Sequence, residues 1–96
     1  MATVTECLAA ATDSVTLIND INTNGSSSDY ASTCADQAEI NEMIQRNVDH
    51  LSTILLYEPD ASDASDDTPN VKGAASDLKT THVTAVTTGT DYIAAN

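Results

Sequence analysis

Apolar positions along the chain fall into two regular stripes and one region without a clear period. Between residues 3 and 22, Val4, Leu8, Ala11, Val15 and Ile18 recur at spacings of four, three, four and three, with Leu17 and Ile21 beside them. That is one face of a helix. Thr3 or Thr5 is placed to cap it, and Glu6 completes a capping box three residues after Thr3. The polar cluster Asn22-Thr23-Asn24-Gly25-Ser26-Ser27-Ser28 ends it.

A second helix is predicted from Asp29 or Thr33 to Tyr57. Ile40, Ile44, Val48, Leu51 and Leu55 follow one another at spacings of four, four, three and four, flanked by Met43 and Ile54. Gln37 and Asn41 interrupt the stripe in its first half, and Glu58-Pro59 stops it, since proline lacks the N–H the helix needs. Two helices joined by a short polar connection read as an antiparallel hairpin. Two stripes facing each other leave a flank uncovered, which is a reason to recruit another chain.

The rest of the chain differs in kind. Residues 60–69 are acidic and aperiodic, and the stretch 59–79 reads as a linker in which Ser76-Asp77-Leu78-Lys79 makes at most one helical turn. Residues 80–88 are rich in Thr and Val, which favours extended backbone, with Gly89 closing the segment and Asp91-Tyr92-Ile93 adding a last apolar contact. A lone strand is not stable, so residues 80–96 are expected to form an extended C-terminal arm that pairs with a neighbour. The fold class expected is therefore mainly α: a two-helix antiparallel hairpin (1–58) or small helical bundle, an acidic linker (59–79) and that arm (80–96).

Composition sharpens the picture. Val, Ile and Leu together number 18 of 96 residues, with no Phe and no Trp, and the formal net charge is −12. So thin a core under so much charge lies near the boundary of disorder, and each ordered residue costs about 1.5 kcal/mol of conformational entropy. Help from outside the chain is expected. A disulfide is not expected to supply it, because Cys7 and Cys34 would sit at different heights of the hairpin and act as small packing residues. No targeting segment and no membrane-spanning run is expected. With only Arg46, Lys72 and Lys79 against fifteen acids, the chain is not expected to bind nucleic acid, and a charged partner should be basic.

Candidate chemistry is sparse. The acids of the run 60–67 recur every third residue with neither the central Gly nor the terminal Glu of an EF-hand loop, so a solvated loop is expected. His50 and His82 lack the close spacing or cysteine partners of a metal pair. No nucleophile elbow and no Gly-rich oxyanion loop accompanies the many serines and aspartates. No catalytic, metal or cofactor site is therefore expected, nor a small-molecule substrate. Arg46 stands four residues after Glu42 and three before Asp49, either as a helix-surface ion pair or as an interface clamp. Asn47 lies partly on the apolar face, where a buried amide would fix helix register.

The run Ala38-Glu39-Ile40-Asn41-Glu42-Met43-Ile44-Gln45-Arg46-Asn47-Val48-Asp49-His50-Leu51 resembles a helix found in small structural proteins of tailed, especially marine, bacteriophages. The resemblance covers about a quarter of the chain, weakens from Ser52 toward Tyr57, and carries no catalytic residues. It implies a virion subunit, capsid-associated (as in capsid decoration) or tail-associated, whose partners are copies of itself or a larger virion protein. The residues expected at such an interface are Leu8, Val15, Ile18, Ile40, Ile44, Arg46, Asn47, Val48, Leu51, Leu55, Val83 and Val86. An acidic adaptor or inhibitor that binds a basic protein surface is the alternative, and a saline environment is another origin for the charge.

Overall fold

The computed structural model describes residues 4–57 and 70–96. Helices run over Val4–Ala10 (α1), Thr12–Asn24 (α2), Gln37–Leu55 (α3) and Ser76–Ala95 (α4), with 3₁₀ turns at Gly25–Ser27 and Tyr30–Thr33. No strand occurs among the described residues. The expected run 60–67 and the residues Glu58 and Pro59 lie outside the described residues.

The extended arm is the main correction. Residues 80–95, expected in an extended arm with a strand-like segment at 80–88, belong to the longest helix among the described residues, α4. Thr and Val each cost a few tenths of a kcal/mol in a helix, but such propensity yields to tertiary packing. The packing stripe is Leu78, His82, Ala85, Gly89 and Tyr92, at spacings of four, three, four and three, with Ala85, Gly89 and Tyr92 buried. Gly and His do not register as apolar and Ala is small, so the period is hard to see in the hydropathy pattern. Two threonine hydroxyls are absorbed by the helix itself, Thr80 Oγ1 donating to the Ser76 carbonyl at 3.2 Å and Thr87 Oγ1 to that of Val83 at 3.4 Å.

α4 covers the flank that a hairpin alone would leave open. Ile18 and Ile21 from α2, Ile44 and Leu51 from α3 and Ala85 from α4 are fully buried in one cluster, closed at its end by Tyr92. Full burial of an Ile or Leu side chain is worth about 1.5–3 kcal/mol. Gly89 lets the three helices approach where they meet: a Cβ there would lie 2.6 Å from Val48 Cγ2, 3.3 Å from Ile44 Cγ2 and 3.4 Å from Ile18 Cγ2. A glycine expected to end a strand is instead the closest point of a helix crossing. The core is thus filled by isoleucine and by close backbone approach rather than by aromatic bulk.

Polar groups set the register. Ser14 on α2 is buried and its hydroxyl donates to Asn47 Oδ1 at 2.8 Å, while Asn47 Nδ2 donates to the Met43 carbonyl at 2.8 Å. Of Gln37 and Asn41, which break the α3 stripe in sequence, Gln37 receives α4 instead. Gln37 Nε2 donates to the Tyr92 hydroxyl at 2.9 Å and to Asn41 Oδ1 at 2.9 Å.

Helix ends follow local chemistry. α3 starts at Gln37, later than expected, because Asp36 caps it: Asp36 Oδ1 accepts from the Glu39 N–H at 3.0 Å, and the Glu39 carboxylate reaches back to the Ala35 N–H. The preceding connection is organised by Asp20, which accepts from Asn24 Nδ2 at 3.0 Å and from the buried Ser28 hydroxyl. Gly25 turns the chain out of α2 at φ +57°, where a side chain would be strained.

A smaller cluster stands at the other end. Val4 and Leu8 of α1 bury against Val71 and Ala74, with Cys7, Ile54 and Leu55 packed on them. Residues 70–74, expected as part of the linker, are therefore anchored. The Lys72 N–H donates to the Tyr57 carbonyl at 3.1 Å, and Asn70 Oδ1 accepts from the Gly73 N–H at 2.7 Å. Cys7 packs on this cluster and Cys34 on the main one, and both are free thiols.

Candidate functional site

Most residues expected at a partner interface are spent inside the chain. Leu8, Val15, Ile18, Ile40, Ile44, Val48 and Leu51 are buried, and Leu55 and Val86 are half-buried against the two clusters. The neighbour that the α3 stripe was expected to recruit is the chain's own α4. Asn47 is half-buried and bridges α2 to α3. Arg46 is exposed, and Asp49, one of the two acids expected to pair with it, accepts from Gln45 Nε2 at 2.9 Å. Val83 alone of the apolar set is exposed, at 49%.

The exposed large apolar side chains among the described residues are Tyr30, Leu56 and Tyr57, and Leu78 and Val83 in the N-terminal half of α4. Leu78 is 53% exposed although it lies on the packing stripe, because α1 stands off from α4 at that level. Between them is a groove of about 330 Å³. Val4, Leu8 and Ala9 of α1 form one wall, Leu78 and His82 of α4 the other, and Thr5 and Thr12 lie along the edge. Sequence reading missed both Leu78 and His82, since the i, i+4 pair falls where only a single helical turn was expected.

His82 spans the groove's inner end. Its Nε2 lies 2.7 Å from the Leu8 carbonyl. A carbonyl only accepts, so Nε2 carries the proton. That carbonyl sits where α1 gives way to α2, and it also accepts from the Ala11 N–H at 3.1 Å. The imidazole therefore ties the break between the first two helices to α4. The ring's other nitrogen, Nδ1, is buried and has no hydrogen-bond partner among the described residues. His50, in contrast, is exposed on α3.

No family model, curated protein or solved structure matches the chain.

Four further features bear on the surface. Among the described residues no group of three His, Cys, Asp or Glu side chains is placed to hold a metal ion. No helix among the described residues is long and apolar enough to cross a membrane. At the opposite end from the α1–α4 groove is an open depression of about 590 Å³ lined by Asn22, Gln37, Asp91, Tyr92 and Asn96. Several of its polar groups are already engaged, the Tyr92 hydroxyl with Gln37 and the Asn96 amide with the Tyr92 carbonyl at 2.9 Å. Carboxylates are spread over the outer faces of all four helices, at Glu6, Asp13, Glu42, Asp49, Asp77 and Asp91.

Proposed function

We propose that this chain is a structural subunit of a virion, capsid-associated or tail-associated, that acts by binding other protein chains and not by catalysis. The observation that supports the binding role is the apolar surface the closed core leaves over. In a chain with only 18 large aliphatic residues, Leu56, Leu78 and Val83 are each about half exposed or more, Leu78 beside the α1–α4 groove and Val83 on another side of the same helix.

The virion assignment is supported by the resemblance of residues 38–51 to a phage structural helix. In the fold that run divides into two faces. Ile40, Ile44, Val48 and Leu51 hold the core, whereas Glu42, Gln45, Arg46, Asp49 and His50 face outward and are available to a lattice neighbour. The acidic-adaptor reading shares the same surface and differs in location: an adaptor would be found outside particles.

The test is localisation. Particles from the producing culture are purified on a density gradient and their proteins quantified by mass spectrometry. Recovery of the chain in fixed ratio to a larger shell or tail protein is the expected result. Its confinement to the particle-free fraction would overturn the virion assignment and favour the adaptor.

A further inference from the structure

We propose that Asn24-Gly25 is a site of spontaneous covalent modification, at which the asparagine converts to isoaspartate and aspartate, and that Asp20 is the latch that sets the rate. Asn24 is the only asparagine of the chain followed by glycine. It closes α2, and its side chain is exposed. The chemistry needs no enzyme. Once hydroxide has removed the Gly25 amide proton, that nitrogen attacks Asn24 Cγ. The new N–Cγ bond closes a succinimide ring, the Cγ–Nδ2 bond breaks, and Nδ2 leaves as ammonia with a proton taken from water. Water then opens the ring. Its addition at Cγ gives aspartate, and its addition at the backbone carbonyl gives isoaspartate, with Gly25 now joined through the side-chain carbon. Glycine favours the closure because it has no Cβ to obstruct the ring and its backbone is free to follow it.

Two hydrogen bonds hold the reacting atoms apart in the folded chain. The Gly25 N–H donates to the Ile21 carbonyl, and Asn24 Nδ2 donates to Asp20 Oδ1 at 3.0 Å. Asn24 also sits at ψ −12°, and it must rotate about its Cα–C bond before the Gly25 nitrogen can reach Cγ. All these restraints lie in the last turn of α2. Helix ends fray at little cost in free energy, so that turn opens without global unfolding. The opening is bounded on both sides, by the fully buried Ile21 and by the buried Ser28, whose hydroxyl donates to the other Asp20 oxygen. Space is not limiting, since a Cβ built on Gly25 would meet nothing within 4 Å. Asp20 therefore ties the leaving amide down, and the reaction waits on release of that bond. The product does not return to the latch. A carboxylate at position 24 has no N–H for Asp20, repels it across one helical turn, and adds negative charge at the C-terminal end of α2.

The test incubates the full chain in mildly alkaline buffer, folded and in urea, and maps its peptides over time by mass spectrometry with a fragmentation that separates isoaspartate from aspartate. The expected result is that the mass gain of an amide turned to an acid comes first at Asn24, mostly as isoaspartate, and comes faster in urea. Asp20→Ala should quicken it about threefold or more in the folded chain, the scale of one lost hydrogen bond. Asp20→Asn keeps an oxygen for the Asn24 amide and should quicken it less. Ser28→Ala leaves the bond between Asn24 and Asp20 in place and should change the rate little. Circular dichroism identifies a variant that fails to fold, and if Asp20→Ala does, Asp20→Asn is compared with wild type and Ser28→Ala in its place. A folded chain that stays unmodified while the urea-unfolded chain converts, or that converts first at another asparagine, would overturn the site. Equal rates in wild type and the folded Asp20 variants, or a Ser28→Ala rate as high as theirs, would overturn the latch.

Discussion

Gly89 of α4 and Val48 of α3 stand so close that a Cβ on the glycine would meet Val48 Cγ2 at 2.6 Å. Val48 is β-branched and stiff about χ1, so it cannot swing its methyl away without leaving its helical rotamer. In an open helix Gly→Ala gains about 1 kcal/mol. Here overpacking costs about 1–3 kcal/mol and outweighs that gain. Gly89→Ala is therefore expected to lower Tm by several degrees in a calorimetric melt. Adding Val48→Ala should cost less in the Gly89→Ala background than in the wild type, because the removed methyl is the one that clashes. An increase in Tm for Gly89→Ala alone would show that the helices do not cross there.

The amide of Asn47 is the second site where a small change has a definite sign. It accepts from the buried Ser14 hydroxyl and donates to the Met43 carbonyl, each at 2.8 Å. Asn47→Ala leaves that hydroxyl without an acceptor, a loss of about 1–3 kcal/mol. Ser14→Ala combined with Asn47→Leu removes both polar partners together and should recover most of the loss. Urea unfolding of the two variants checks this, and equal destabilisation of single and double variants would remove the bond's role.

These two sites also show what the amino-acid order reveals and what it hides. The apolar stripes of α2 and α3 are legible because Ile, Val and Leu repeat at helical spacing, and Asn47 is legible as a polar residue on an apolar face. α1 was legible only as the start of one longer helix, since nothing in Ala10-Ala11-Thr12 marks the break that the Leu8 carbonyl shares with His82. α4 was misread because its buried face is Ala85, Gly89 and Tyr92, residues chosen for close approach rather than hydrophobicity. That misreading moved the interface as well: with α4 counted as an arm, the α3 stripe was expected to face a partner, and the exposed Leu78 went unnoticed. The start of α3 could have been found from Asp36 and Glu39, whose spacing is that of a capping box.

Ile44 separates the two readings of the stripe. It is fully buried among α2, α3 and α4. Ile44→Asp places an unpaired charge in the core and should unfold the isolated chain rather than merely block assembly, since an unpaired buried charge costs several kcal/mol against a small total stability. Far-UV circular dichroism of the variant should show loss of helix at all concentrations. A folded Ile44→Asp monomer that fails only to assemble would restore the stripe to the interface.

His82 should hold α1 in place. Its Nε2–H donates to the Leu8 carbonyl at 2.7 Å from a half-buried position. His82→Ala removes that donor, at a cost of about 1 kcal/mol. The effect should be local: amide exchange of residues 4–10 quickens, while that of α3 stays as it was. His82→Gln offers an N–H of similar reach and should restore part of the protection. Uniform acceleration across α2, α3 and α4 would mean that the imidazole supports the main core instead.

The charge of the chain sets a last expectation. Fifteen acids face three Lys or Arg residues, and on the described surface the carboxylates are distributed over every helix. Folding gathers these charges together, so self-repulsion opposes the compact state. Salt relieves it, because the screening length falls from about 30 Å at 0.01 M to about 10 Å at 0.1 M. Tm should therefore rise with NaCl, by about 5 °C between 0.01 and 0.5 M, which corresponds to about 1 kcal/mol for a chain of this size. Asp13→Asn and Asp91→Asn, both at exposed positions, should together reduce the slope without disturbing a packed contact. A Tm independent of salt would show that the acids are spaced widely enough not to oppose folding, and the charge would then bear on partners alone.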